Sequence, residues 1–414
     1  MLASEPTPSV KVESRNPFVS PAFTRWWVGS IVAGMGVGIQ AVTVPLFIRD
    51  RVDLHSRALA ISAALIAQTL PGAVLALVGG AVADRIERRR ILVRTYGIAA
   101  LVSTIYVLLC SANVRAIWPV FPLAMLVGCA GAFTNPARQS MLPQLVGRAQ
   151  LQNGVILGTM AFMASLQFLG PTVGGLVTDW RGLTWAFAIE VLLLAASAVL
   201  FSRIGTDQPV PTGRNVMGDL VDGLRYVRQD SAILGLLFLG TVPSIFMIGP
   251  FAVTIAIIVP DVFGASDKWV GILWGCFGAG VFLGSVMLTM RPLRRRGLAV
   301  CLSVLVAGLV LIAYGYSTTL RVSAALLFLW GLNPAVFINY VVALLQERTA
   351  PQMMGRVMSM YSLAFLASMP VGYAQAGFVT TVYGPQATLV ASGCIAALIG
   401  AACLIALKPV RALE

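Results

Sequence analysis

GGAVADRIERRRIL, residues Gly79 to Leu92, packs an aspartate, a glutamate and four arginines into a short turn between two apolar runs. The flanking runs, 58 to 82 and 91 to 112, each exceed the roughly 20 residues that cross hydrocarbon as a helix. A charged hinge between two spanning runs is what a loop at a membrane surface looks like. Ten more such runs lie at 26–48, 115–135, 152–178, 183–202, 233–258, 269–290, 297–317, 321–346, 357–382 and 386–407. Backbone groups find no water in lipid, so only helices or a closed barrel can span, and these runs lack the alternation of barrel strands. The chain therefore reads as an all-α integral membrane protein with twelve transmembrane helices.

Composition agrees. Of the 414 residues 58% are hydrophobic and only 11% charged, against about 25% charged in a soluble domain; the mean hydropathy is +0.87. A net charge of +13 points at first to nucleic acid, but the placement of the bases argues against it. With the N-terminus inside, 22 of the 29 Lys and Arg residues fall in inner loops and tails. This is the positive-inside bias, which predicts both termini in the cytoplasm of a multi-pass cell-membrane protein and leaves no role for nucleic acid. The first 24 residues are polar and carry no cleavable signal, so segment one is expected to act as the insertion signal.

An internal repeat divides the chain. MAFMASL (Met160 to Leu166) and LAFLASM (Leu363 to Met369) match at an offset of 203, and Arg88, Arg89 and Arg90 superpose on Arg294, Arg295 and Arg296 at 206. Two parallel six-helix halves are expected: a tail at 1–25, halves at 26–203 and 233–407, a linker at 204–232, and a tail at 408–414. Within the linker, DLVDGLRYVRQ places Leu220, Leu224 and Val227 on one helical face, which predicts a short amphipathic helix at the cytoplasmic interface. Trp26 and Trp27 near the inner end, and Trp118, Trp180, Trp185 and Trp269 near outer ends, sit where amphipathic rings prefer the interface.

The Gly79–Leu92 turn resembles the cytoplasmic loop signature of major facilitator transporters, through Gly80, Ala83, Asp84, Arg85, Arg88 and Arg89. Glu87 stands where that pattern has a turn glycine. FTRWWVGS, LPGAVLALVGGAVADR, NPARQSMLPQLV, DGLRYVRQ and MGRVMSMYS extend the resemblance over nearly the whole chain, nearest to the exporter group of enterobactin exporters and macrolide efflux proteins. The resemblance implies a major facilitator fold of two pseudo-symmetric halves. It also implies that Gly80, Asp84, Arg85, Arg88 and Arg89 form a gating motif, with Asp84 near the N-terminal end of segment eleven and Arg88 reaching an acidic partner on segment four. NPARQSMLPQL offers no carboxylate there, only Gln144; the matching position of the second half is Glu347. Gating and simple positive-inside anchoring both remain open for these arginines.

Gly170, Pro171, Gly174 and Gly175 match the second half of an antiporter signature that the resemblance links to export. Physically, Pro171 removes an intrahelical hydrogen bond, and the glycines admit a neighbouring helix; a plain structural kink is the alternative. Glu190 lies inside segment six, where an ionisable group is costly unless partnered or functional. It is the proton-coupling candidate, the alternative being a carboxylate that reaches outer headgroups or Arg181. The helices that line the cavity in the family carry Gln40, Gln68, Gln167, Phe246, Trp274, Asn339, Tyr340 and Tyr361, which suggest a neutral, amphipathic substrate.

One loop histidine, His55, six cysteines in apolar spans without a C-x-x-C pair, and scattered acids give no metal site, no cofactor site and no catalytic constellation. No phosphate-binding loop of the Walker type occurs. The sequence is thus expected to encode a secondary active exporter, not an enzyme. Its partners are the lipid bilayer, a small-molecule substrate and protons, and it acts as a monomer. An importer, a uniporter or a membrane sensor is the alternative.

Overall fold

The computed structural model describes residues 16–83, 86–147, 150–205, 224–290, 293–411 and 413, and among these the regular structure is helical throughout. Twelve helices are long and apolar enough to span a membrane: α1 Pro21–Arg49, α2 Arg57–Ala83, α3 Arg88–Ser111, α4 Val120–Leu145, α5 Leu151–Arg181, α6 Leu183–Ser202, α7 Ser231–Asp261, α8 Lys268–Met290, α9 Arg296–Gly315, α10 Leu320–Arg348, α11 Met354–Tyr383 and α12 Pro385–Ala406. Local chemistry sets their starts. Ser20 accepts a hydrogen bond from Phe23 N and Pro21 fits the first turn of α1, while Asp230 accepts from the Ala232 and Ile233 N–H groups ahead of α7. Tight turns at Gly182 and Gly384 have φ of 86° and 87°, a left-handed conformation open to glycine. They join α5 to α6 and α11 to α12, equivalent places in the two halves.

Helices α1–α6 and α7–α12 pack as two bundles that meet along two seams, α2 against α11 and α5 against α8. One apolar cluster lies mostly in the second half and takes in Val42 and Leu46 of α1, and another lies in the first half near the terminal end. A third joins both halves at the far end, with Phe47, Ile61 and Phe187 of the first half beside Val253, Ile257 and Tyr373 of the second. Lipid tails are as apolar as these side chains, so close packing rather than water exclusion holds such helices together.

The structure corrects two readings of the sequence. Helix α4 runs to Leu145, not to 135, so NPARQSMLPQL is helix with Pro136 and Pro143 inside it. Prolines are tolerated there because neighbouring helices and Ser or Thr side chains re-satisfy the freed backbone groups. Trp26 is not an interfacial anchor: it is buried, and its indole N–H donates to the Arg138 carbonyl at 3.2 Å. Trp118, Trp180 and Trp185 do lie exposed near the far end. Of the linker, 206–223, including Leu220, lies outside the described residues. Residues 224–229 are helical, Val227 is buried, and the Tyr226 hydroxyl accepts a hydrogen bond from Ala350 N at 3.2 Å.

Candidate transport site and its gates

Glu190 is sealed inside the first half at 0% exposure. Its Oε1 accepts from Gln40 Nε2 on α1 at 3.0 Å and from Ser103 Oγ on α3 at 2.5 Å, and its Oε2 has no partner. Gln40 Oε1 in turn accepts from Gln68 Nε2 on α2 at 3.4 Å. Four helices thus contribute one polar chain, running from half-buried Gln68 through Gln40 to the carboxyl. The alternative reading of Glu190 fails on geometry: it does not reach the headgroups, and the Arg181 guanidinium lies instead over the Trp180 ring at 4.5 Å.

The second half carries aromatic rings in its core. Phe251 of α7, Trp274 and Phe277 of α8 and Trp330 of α10 form one cluster, with centroid separations from 4.6 Å (Phe251–Trp274) to 6.4 Å (Trp274–Phe277). At 1.5 Å rise per residue, the polar chain and the aromatic cluster both lie about 9–16 Å in from the far end. Phe246, half-buried, sits on a π-helical turn of α7, Ser244–Ile248. Its counterpart in α5 is Ser165–Leu169, and each π-helical turn is followed at once by Gly-Pro, Gly170-Pro171 and Gly249-Pro250. Such turns open the i→i−4 ladder and bend a helix without exposing the whole backbone.

All four signature residues of α5 are buried. Gly170 packs on Gly38 of α1, while a Cβ on Gly175 would stand 2.7 Å from the Gly271 Cα of α8. The α5–α8 seam therefore closes backbone on backbone. Three ion pairs cross between the halves at this end: Arg49–Asp267 at 2.6 Å, Arg57–Asp261 at 3.3 Å and Lys268–Asp179 at 3.7 Å. At the terminal end the ion pairs among the described residues stay within a half: Arg296–Glu347 at 2.7 Å, Arg348–Asp230 at 2.8 Å, and Glu87 with Arg89 at 3.0 Å and Arg90 at 2.6 Å. Charge thus joins the two halves at the far end.

Of the loop motif, Asp84 and Arg85 lie outside the described residues, and Gly80 falls within α2. Arg89 also donates to the Ser202 and Ile204 carbonyls at the end of α6, a favourable place for a cation. Glu87 has φ −52°, so this turn needs no glycine, and its carboxylate draws Arg89 and Arg90 together. Gln144 is exposed and Glu347 is taken by Arg296, so neither pairs with Arg88 in this state.

The remaining cavity candidates divide. Gln167 is half-buried with its backbone against Gly278 of α8, and Trp274 is half-buried on α8 against Phe251 of α7. Asn339 is exposed on α10 and donates to the Ala335 carbonyl at 2.7 Å. Tyr340 is buried, its hydroxyl accepting from Leu293 N at 2.7 Å, and Tyr361 is buried against Gly240. Arg138 escaped the sequence reading because its segment was placed in a loop. It is 4% exposed, its Nε has no hydrogen-bond partner, and its guanidinium stacks over Phe162 at 3.7 Å.

The transmembrane secretion effector family model of the major facilitator superfamily matches residues 13–414. The chain belongs to this family. Among similar proteins, the multidrug efflux pump Tap of Mycobacterium tuberculosis is 29% identical over 403 residues, covering 91% of each chain. Macrolide efflux protein A of Streptococcus pyogenes is 24% identical over 84% of this chain and 87% of its own. The enterobactin exporter EntS of Escherichia coli is 25% identical over 94% and 93%. The crystal structure of the nucleoside transporter NupG shares the fold with a TM-score of 0.73 at 13% identity, covering 94% of this chain and all of that one. This secretion effector is therefore a multi-span membrane protein of the major facilitator fold.

Proposed function

We propose that this secretion effector is a proton-coupled antiporter of the cell membrane that exports a small amphipathic molecule, such as an antibiotic, a siderophore or another secondary metabolite, with both termini in the cytoplasm. The observation that carries the reading is Glu190: a carboxyl inside the membrane, one oxygen held by Gln40 and Ser103, the other without a partner. Intramembrane carboxyls of this kind mark ion and proton pathways. Oε2 is the atom that takes and releases the proton, and Gln40, bonded to Oε1, joins the carboxyl to half-buried Gln68. Efflux by Tap, macrolide efflux protein A and EntS supports the outward direction and the substrate class.

With cytoplasmic termini the far-end ion pairs Arg49–Asp267, Arg57–Asp261 and Lys268–Asp179 lie on the outer side, where they hold the outer path shut. Gating then falls to Asp84 and Arg88 on the inner side and to the Gly175–Gly271 contact on the outer side. A membrane potential supplies about 2.3 kcal/mol per charge per 100 mV, which at 100 mV lets one proton drive roughly fiftyfold accumulation of a neutral molecule. Inverted membrane vesicles bearing this chain, given a proton gradient, should concentrate a macrolide and lose it on addition of an uncoupler. Purely downhill, uncoupler-insensitive flux would make the protein a uniporter.

A further inference from the structure

A cavity of about 550 Å³ opens at the far end of the first half, within the size range of small-molecule sites. Four arginines line it, Arg49, Arg51, Arg57 and Arg115, against two aspartates, Asp50 and Asp53. Asp50 is already held by Arg49 at 2.6 Å, and Asp53 is exposed with its side chain capping nothing. Among the described residues Arg51 and Arg115 have no carboxylate partner. Arg51 donates only to neutral acceptors, the Val114 carbonyl at 2.9 Å, the Phe47 carbonyl at 3.2 Å and the Cys110 sulfur at 4.0 Å, and its guanidinium lies over the Phe47 ring at 3.6 Å. Its cation is thus fixed in place without a counter-charge. Another part of the wall is the first turn of α6, Leu183 and Thr184. That helix starts after Gly182 with no side-chain cap, so its leading N–H groups have no partner within the helix and favour an anion.

We propose that this cavity is an anion site for a phosphate group, with Arg51, Arg115 and the first turn of α6 as its permanent contacts. Guanidinium forks and helix N-termini both match phosphate oxygens, and the volume leaves room for a small ester such as glycerol phosphate. Such a group arrives either as a free ester or as the headgroup of phosphatidylglycerol. Arg49 and Arg57 line the same cavity and also pair across the seam, with Asp267 and Asp261. A phosphate in the cavity therefore competes with those two aspartates, and its occupancy loosens the closure of the far end. The site is regulatory, and it acts on the seam whatever the protein exports.

The test uses the purified full chain in two arms. Radiolabelled glycerol 3-phosphate, added to the chain in phosphatidylcholine nanodiscs, probes the free ester. Native mass spectrometry of the chain purified from mixed phosphatidylcholine and phosphatidylglycerol vesicles counts retained phosphatidylglycerol and probes the headgroup. The native chain should bind in at least one arm, and the arm that responds identifies the source. In that arm Arg51→Gln and Arg115→Gln should each weaken binding by about tenfold, the lower range for a hydrogen bond to a charged group. Arg321→Gln, which removes an exposed arginine at the start of α10 outside the cavity, should leave binding within about twofold. Asp267→Asn frees Arg49 and should tighten binding by about two- to fivefold, the range of one partly exposed ion pair. Arg115 is exposed, so Arg115→Gln decides if Arg51→Gln fails to fold. A native chain that takes neither probe overturns the site, and so does equal weakening by Arg321→Gln, which would report only the net charge of that end. Unchanged affinity in Asp267→Asn overturns the competition with the seam.

Discussion

Gln40 Nε2 stands 3.0 Å from Glu190 Oε1, and this contact ties α1 to a carboxyl that is fully buried. Because Gln40 Oε1 also accepts from Gln68, a change at the cavity wall and a change at the carboxyl act on the same amide. Gln40→Leu should therefore keep the fold and substrate binding while uncoupling them from protons. The measurement is the ratio of proton flux to substrate flux in vesicles, which should fall at least tenfold; an unchanged ratio removes Gln40 from the pathway.

The far-end ion pairs set the resting state. Asp267→Asn and Asp261→Asn together leave Arg49 with Asp50 alone and Arg57 without its partner across the seam. Partly exposed pairs contribute about 0–1 kcal/mol each, so the double variant should raise the outward-open population by roughly tenfold. Spin labels placed by Asp53→Cys and Val262→Cys report it as a longer distance component across the far end. No new component would mean that the apolar cluster alone holds that end shut.

Gly175 tests the seam by shape. A side chain there meets the Gly271 backbone, which cannot yield without separating α5 from α8. Gly175→Leu should fold yet transport at under about a tenth of the native rate, with the outer end wedged open; Gly175→Ala should fall between. Native transport by the leucine variant would show that closure does not pass through this contact.

The loop motif is tested by charge. Asp84→Asn and Arg88→Ala should each depress transport more than they lower protein abundance, because charge at a hinge biases the gating equilibrium. Equal loss of both quantities would assign the motif to membrane anchoring. Reporter fusions after Asp84, Gly213 and Arg294 should read cytoplasmic and those after Asp53, Asp179 and Asp267 the opposite side, as the basic asymmetry requires.

Much of the architecture was legible because the signal is length. A span needs about 20 apolar residues, and eleven of the twelve spans ended near where hydropathy fell. The fourth did not: Asn135, Pro136 and Arg138 look like a loop to any reading that ignores helix neighbours, so the buried guanidinium over Phe162 was invisible. Gln40, Gln68 and Glu190 were each identifiable as polar residues in lipid, but their joining was not, since nothing local encodes a contact 150 residues apart. Arg49 and Asp267, separated by 218 residues, pair only because two helix ends meet across the seam. Trp274 was noted as a cavity residue; its unpaired N–H, and that of Trp330, required the packing to be seen.

The central claim is that uphill export draws on a proton carried by Glu190. Vesicles containing the native chain and the Glu190→Gln variant, both loaded to the same protein density, settle it by two readings of one labelled macrolide: accumulation under an imposed proton gradient, and exchange at equal concentrations without one. The account predicts that the native protein does both and that the variant exchanges at a near-native rate but accumulates nothing. Gradient-driven accumulation by Glu190→Gln equal to that of the native protein would contradict it.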